Sequence, residues 1–185
     1  MPGPLADFLA AQAWIAFIVF ARVGAAFAVL PGFAEASVPA RVRLLVAIAV
    51  TVVIAPSVAP GLPALPVEPA GLVVATGVEI VTGIFLGLVA RMVLSAAQIA
   101  GTIIGYQTSL ASAFAFDPGT QQQGVITAAW MSILALTVMF AADMHHLLLR
   151  AVADSYVVFL LMMPFMVATM SEFMRELASR IVLGF

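Results

Sequence analysis

The chain has 185 residues, of which 64% are hydrophobic and only 9% are charged. That leaves too little polar surface for a water-soluble globule, so the chain belongs in a lipid bilayer or a large apolar assembly. The absence of cysteine excludes disulfides and thiolate metal sites. The net charge of −2 offers no basic surface to nucleic acid.

The first half of the chain contains two apolar segments. Residues 8–30 are apolar except for Arg22, and at about 1.5 Å per residue they are long enough to cross a bilayer. The second segment, 44–54, closes at Pro56. A proline-rich connector then runs from 56 to 69, and its composition predicts a stiff, extended loop.

The second half predicts further helices. A third apolar helix covers 71–90, and Arg91 separates it from a fourth that runs from Met92 to about Ala113. A fifth covers 125–142. An amphipathic stretch at 143–156 leads into a last apolar run at 157–169, which is short for a span.

The tail, 171–185, has apolar residues at helical spacing and predicts an amphipathic helix. We therefore expect an all-α, polytopic membrane protein of about five or six apolar helices, with a re-entrant or plug-like loop after the fourth. The positive-inside rule places Arg41, Arg43, Arg91 and Arg150 inside, and it places the connector and the loop around Asp117 outside. If the sixth run crosses, Arg175 and Arg180 lie outside and conflict with this pattern, so either that run does not cross or the C-terminus is unusual.

The segment 98–123 has the composition of a gate. Gly101 and Gly105 lie one turn apart, which lets another helix approach closely. Asp117-Pro118-Gly119 stops the helix, and Phe114 and Phe116 stand just before that stop. Nothing in the segment resembles a catalytic motif.

Four polar residues interrupt the apolar helices: Arg22, Glu79, Gln98 and Gln107. A carboxylate within a span is costly unless it has a partner or water, so Glu79 predicts an interhelical or a pore-facing contact. Arg22 is expected to extend its guanidinium toward the membrane surface. In the same helix as Glu79, Gly83 and Gly87 predict a second close helix contact.

We find no sequence motif for an enzyme, a cofactor or a metal ion. His145 and His146 are adjacent, so on a helix they point in different directions and cannot easily bind one metal ion together. The signatures of hydrolases, zinc proteases, nucleotide-binding loops and dinucleotide-binding folds do not occur. We therefore predict no catalytic residues, no cofactor and no metal site.

Five blocks of sequence occur in a recognisable order. They are A-R-V-G-A-A-F-A-V-L-P-G-F from Ala21, S-V-P-A-R-V-R from Ser37, G-V-E-I-V-T-G-I-F-L-G from Gly77, the segment from Gln98 to Gly119, and H-H-L-L-L-R-A-V-A-D-S-Y from His145. In this order they resemble the FliR family of flagellar biosynthetic proteins and its injectisome relatives.

The resemblance implies a subunit of the flagellar export gate in the bacterial inner membrane, within the basal body. Its implied partners are the P-type and Q-type subunits FliP and FliQ, the B-type subunit FlhB, unfolded flagellar proteins in transit, and membrane lipid. The family's plug would correspond to the plug loop, which we define as Leu110, Phe114, Phe116, Asp117, Pro118 and Gly119. The resemblance also implies a gate that lies partly above the membrane plane.

The chain departs from the family pattern in three places. Ser109 stands where Gly is usual, and Asp143-Met144 replaces a small, glycine-containing pair. After Phe159 the expected helical hairpin is missing. We therefore expect a FliR-like region at 1–159 and a remnant of the C-terminal region at 160–185. Two other functions stay open from the sequence: a stand-alone small transporter or channel using Arg22 and Glu79, and a membrane enzyme.

Overall fold

A computed structural model describes residues 3–108, 114–117 and 122–160, together with Glu172, Arg175 and Ser179. Its five long helices are α1 (Pro4–Val29), α2 (Ala40–Val58), α3 (Pro69–Gln107), α4 (Ile126–Ala141) and α5 (Met144–Leu160). A single 3₁₀ turn, Ala59–Gly61, follows α2. Two four-residue strands, β1 (Phe114–Asp117) and β2 (Gln122–Val125), pair antiparallel between α3 and α4. The expected all-α, polytopic membrane fold is confirmed, with this short hairpin added.

Proline and glycine occur at several of the helix ends. Pro4 and Pro69 occupy the first turns of α1 and α3, where a missing N–H costs nothing. After α1, Gly32 adopts a φ of +82°, a backbone conformation that favours glycine. The sequence predicted that the second apolar segment closes at Pro56. That prediction was wrong, because α2 continues through Pro56 to Val58.

The predicted third and fourth helices are one helix, so their separation at Arg91 is wrong. Ala90, Arg91 and Met92 are all strong helix formers, and a single charge interrupts the apolar run without breaking the backbone. At about 1.5 Å per residue, the 39 residues of α3 reach roughly 58 Å, well beyond the apolar core of a bilayer.

This correction also changes the predicted topology. Arg91 lies within α3 and not in an inside loop, and the connector and the β1–β2 hairpin lie at opposite ends of that helix. The prediction that both lie outside required the chain to turn at Arg91, and α3 is continuous there. Among the described residues, α1, α2 and α3 are long and apolar enough to cross a membrane, and a fourth span results if α4 and α5, bent by 73°, count as one.

Helix α1 lies at the centre of the bundle. It packs against both α2 and α3, and Val19, Val23 and Phe27 are completely buried on it. Trp14 Nε1 donates a hydrogen bond to the carbonyl of Pro63, at 3.2 Å, which ties the connector to α1. Helix α2 lies outermost, since only 11% of its most apolar stretch is buried within the chain.

The predicted last apolar run falls mainly outside the described residues, and so does most of the amphipathic tail. The structure describes helical backbone at Glu172, Arg175 and Ser179. Arg175 Nη2 donates to Glu68 Oε2 at 2.8 Å, on the protein surface. Arg175 therefore lies at the end of the bundle that carries the connector.

Candidate functional site

The end of α3 leads into the plug loop. The helix ends at Gln107, six residues before the predicted end at Ala113, and the Thr108 hydroxyl donates to the carbonyl of Ile104 at 2.8 Å. Phe114 and Phe116 then occupy alternate positions of β1, opposite Val125 and Gln123 of β2. The plug-loop residues Leu110, Pro118 and Gly119 lie outside the described residues, and so does Ser109.

The glycines at this end of α3 lie directly against the start of α4. A Cβ added to Gly101 would lie 2.6 Å from the carbonyl oxygen of Thr127, and one added to Gly105 would collide with Val125. The Thr127 hydroxyl donates to the carbonyl of Gly101 at 2.7 Å. The hairpin therefore begins and ends at a helix pair that is both close and hydrogen-bonded.

The second pair of glycines lies against α1. A Cβ added to Gly83 would collide with the carbonyl oxygen of Arg22, and one added to Gly87 would lie 2.8 Å from the Cβ of Val29. Small side chains thus let α1 and α3 approach each other as closely as their backbones permit.

One helical turn before Gly83, four side chains form a buried polar cluster, which we define as Arg22, Glu79, Ser155 and Tyr156. Arg22 donates from Nε to Glu79 Oε2 at 2.5 Å and from Nη2 to Glu79 Oε1 at 3.1 Å. Its Nη1 donates to the Ser155 hydroxyl at 3.0 Å, and its guanidinium lies 3.8 Å from the centre of the Tyr156 ring.

The polar cluster joins three helices and is closed to solvent. Arg22 and Glu79 are 1% and 0% exposed, and they come from α1 and α3, while Ser155 and Tyr156 come from α5. The Ser155 hydroxyl donates onward to the carbonyl of Val152 at 2.6 Å. Charges can be buried in this way because each is paired and hydrogen-bonded.

The structure therefore places Glu79 in an interhelical contact, one of the two alternatives open from the sequence. The expectation for Arg22 was wrong: its guanidinium points into the bundle and not toward the membrane surface, because a bidentate carboxylate partner is available there. Since these two charges are used on each other, the structure does not favour a stand-alone transporter that needs them for its substrate.

The two glutamines differ in their surroundings. Gln98 lies within α3, partly buried, and its carbonyl accepts the Thr102 hydroxyl at 3.0 Å. Gln107 is the exposed last residue of the helix.

A sharp corner between α4 and α5 carries the two histidines. Asp143 has a φ of 55°, and its carboxylate, with ring nitrogens of His145 and His146, forms a group whose ligand atoms lie within 4.8 Å of one another. The centres of the two rings lie 4.1 Å apart with their planes inclined by 38°, and His145 also packs on Phe140. The ligand atoms of His145 and His146 therefore lie close together, so the expectation that the two side chains point in different directions was wrong.

Sequence reasoning missed Ser155 and Tyr156 as members of the polar cluster. A signal was present, because three of the five blocks quoted above contain the cluster residues: Arg22 in the first, Glu79 in the third and Ser155-Tyr156 in the last. A lone polar residue in each of several apolar helices is the pattern that would have suggested a shared contact.

Comparison with known proteins gives a consistent result. The model of the family described as "Bacterial export proteins, family 1" matches residues 13–184. Flagellar biosynthetic protein FliR of Caulobacter vibrioides is 35% identical over 148 residues, which cover 80% of this chain and 59% of that protein. The FliR proteins of Bacillus subtilis and Escherichia coli are 32% and 34% identical, over 75% and 73% of this chain.

The chain spans between half and three fifths of the length of these relatives: 59% of the Caulobacter protein, 53% of the Bacillus protein and 51% of the Escherichia protein. The resemblance drawn from the five sequence blocks is confirmed by these matches.

Proposed function

We propose that this chain, which belongs to the family of bacterial export proteins, family 1, forms part of the gate of a flagellar type III export apparatus. Three relatives are named flagellar biosynthetic protein FliR, and the membrane-embedded helical fold suits the same role. On this proposal the chain is a channel subunit in the bacterial inner membrane, within the basal body, and it passes unfolded flagellar proteins.

The observation that carries the proposal is the position of the β1–β2 hairpin. The hairpin joins the end of the 39-residue helix α3 to α4. At its base, Gly101 and Gly105 of α3 lie directly against the start of α4. A short segment on such a rigid base can close a channel and be displaced without disturbing the helices that carry it. We therefore propose that the plug loop, including Phe114 and Phe116, occludes the channel.

The exposed surface supports an assembly. Large apolar side chains cover the outer faces of α2 and α3, among them Leu45, Val52, Val53, Val81 and Val93. Lipid or neighbouring subunits must cover them. The proposed neighbours are FliP, FliQ and FlhB, as the family resemblance implies.

We further propose that the chain acts without catalytic chemistry. Among the described residues, the buried charged side chains are Arg22 and Glu79, and they bind each other. The division into a FliR-like region at 1–159 and a C-terminal remnant at 160–185 remains part of the proposal.

Conductance tests the plug assignment. The chain is purified with P-type and Q-type subunits and placed in a planar bilayer. Phe114→Ala and Phe116→Ala are compared with Phe8→Ala, which removes a phenyl group that is 59% exposed at the start of α1. We expect the two hairpin variants to raise the ionic conductance of the complex and the control to leave it unchanged.

Unchanged conductance in both hairpin variants would refute the plug. Failure of the wild-type chain to co-purify with the two partner subunits would refute the wider proposal of a gate subunit. The two results are separable because co-purification is measured before any current is recorded.

A further inference from the structure

Three side chains of metal-ligating type meet at the corner between α4 and α5. Asp143 lies in the turn between the two helices, and His145 and His146 lie in the first turn of α5. One ligand atom from each residue lies within 4.8 Å of the other two. The whole sequence has two histidines and no cysteine, so every imidazole of this chain belongs to this corner.

The distances at the corner suit a shared ion better than a hydrogen bond. His146 Nδ1 lies 3.7 Å from Asp143 Oδ1, which is too long for a hydrogen bond. Two ligand atoms that bind one Zn²⁺ tetrahedrally, with bonds of about 2.0 to 2.2 Å, lie about 3.4 Å apart. The side chains of His146 and Asp143 are 70% and 78% exposed, so small rotations can bring the ligand atoms to that separation.

The backbone holds the carboxylate beside the two rings. Asp143 has a φ of 55°, in the left-handed region that a side chain disfavours and that aspartate adopts more readily than most residues. Its carbonyl accepts a hydrogen bond from the backbone N–H of His146 at 3.0 Å, and its own N–H donates to the carbonyl of Phe140 at 3.2 Å. The turn itself is therefore fixed, and the carboxylate needs little ordering to act as a ligand.

His145 has a ring nitrogen that lacks a partner. Its Nδ1 is buried, and no group of the described residues forms a hydrogen bond with it, which is unfavourable for a buried polar atom. Packing holds the ring in this position, because its centre lies 5.2 Å from that of Phe140 and 4.1 Å from that of His146. A metal ion bound by this ring would supply the polar partner that the surrounding residues do not.

The charges and the ligand types at the corner select the class of ion. Asp143 contributes one negative charge, and Arg150, one turn beyond His146, is paired with Asp154 at 3.6 Å. Imidazole suits Zn²⁺ and the neighbouring transition metals, whereas Mg²⁺ and Ca²⁺ prefer sites made of oxygen ligands alone.

We propose that Asp143, His145 and His146 bind one divalent transition-metal ion of the zinc type. Three protein ligands leave the fourth tetrahedral position to water. The ion ties the turn to the first turn of α5 and so stabilises the 73° bend between α4 and α5. This proposal replaces the prediction of no metal site, which rested on the divergence of the two histidine side chains.

Calorimetric titration tests the site. The full chain is produced without a histidine tag, purified in detergent, stripped with a chelator and titrated with Zn²⁺ in the presence of excess Mg²⁺. We expect one Zn²⁺ per chain with micromolar affinity. At about 100 times its Kd, Zn²⁺ should raise the Tm of the chain by roughly 5 to 11 °C, because it binds the folded state.

Two variants remove a ligand without threatening the fold. Asp143→Gly suits the positive φ of that position, and His146→Ala removes an exposed ring. Each should raise the Kd for Zn²⁺ at least about tenfold, the lower limit for loss of a group that only supports a ligand. Both should unfold near the wild-type Tm in chelator. The matched control is Asp154→Asn, which neutralises another exposed carboxylate of α5 and should bind Zn²⁺ as the wild type does.

X-ray absorption at the zinc edge identifies the ligands. We expect two imidazoles on each bound ion, and in a complex of one ion per chain they can only be His145 and His146. Fewer than two imidazoles would overturn the proposal, and so would one ion for every two chains, which would indicate a bridge between copies. Wild-type affinity in both ligand variants, an equal loss in Asp154→Asn, or binding without a rise in Tm would also overturn it. None of these measurements depends on export activity.

Discussion

The buried ion pair allows a quantitative prediction. Removing one partner of a buried pair leaves the other charge uncompensated and costs about 3 to 5 kcal/mol. Arg22 and Glu79 are 1% and 0% exposed and share two hydrogen bonds, so this range applies to Glu79→Ala and to Arg22→Met. A chain of this size loses about 2 to 4 °C in Tm per kcal/mol, so each variant should lose roughly 6 to 20 °C.

Replacing both residues should cost less than the two single changes added together. The double variant Arg22→Met, Glu79→Leu leaves no buried charge, and apolar replacements of a buried pair are often tolerated. Thermal unfolding in detergent, followed by the fluorescence of the buried Trp14 and the exposed Trp130, measures all three variants. The control is Asp154→Ala, which removes an exposed partner of Arg150, 3.6 Å away on α5, and should leave Tm unchanged.

Strict additivity of the two single losses would refute this account. It would mean that Arg22 and Glu79 contribute independently to the free energy of unfolding, through contacts with other groups, and that the hydrogen bonds between them add no interaction energy. A loss in Asp154→Ala as large as that in Glu79→Ala would also refute it, because burial would then not decide the cost.

Two further predictions concern the helix contacts, both measured by thermal unfolding in detergent. Gly83→Ala forces a Cβ against the backbone of α1 and should lower Tm by roughly 2 to 12 °C. Gly77→Ala is the control, because open space surrounds that position, and it should keep or raise Tm. Equal effects of the two variants would mean that α1 and α3 are not in close contact. Thr127→Val removes the hydrogen bond to Gly101 and should cost about 1 kcal/mol, whereas Thr137→Val, whose hydroxyl bonds only within its own exposed turn, should cost nothing measurable. A loss confined to Thr137→Val would contradict that assignment.

The limits of two helices were predictable from the lengths of their apolar runs. The fifth predicted helix, 125–142, differs from α4 by one residue at each end, and the first ends within a residue of α1. The predicted break at Arg91 was wrong because a drop in hydropathy indicates contact with water and does not by itself end a helix. Arginine is charged, which lowers the hydropathy, but it is also a good helix former, so the helix continues.

The polar cluster could be predicted only in part. Glu79 was recognised because an acid within a span needs a partner, but the partner is 57 positions away along the chain and no local spacing identifies it. Arg22 was assigned to the membrane surface because a long side chain near a helix end usually reaches water. Burial of the guanidinium depends on three helices meeting, and this is a property of the tertiary fold alone.

The polar cluster and the glycine contacts are parts of one arrangement on α3. Glu79, Gly83 and Gly87 follow each other at intervals of four residues, so they lie along one face of the helix. Apolar packing fixes helix rotation weakly in a membrane, because lipid and side chains are equally apolar. A forked guanidinium that must reach a carboxylate and a hydroxyl fixes it strongly.

That rotation matters for the hairpin. Gly101 and Gly105 lie on nearly the same face of α3 as Gly83, since six turns of about 3.6 residues separate Gly83 from Gly105. The rotation that directs Glu79 to Arg22 therefore also directs the far end of α3 toward α4. The ion pair and the hairpin are thus connected through one continuous helix, and substitutions in the cluster should shift the hairpin as well as lower the stability of the chain.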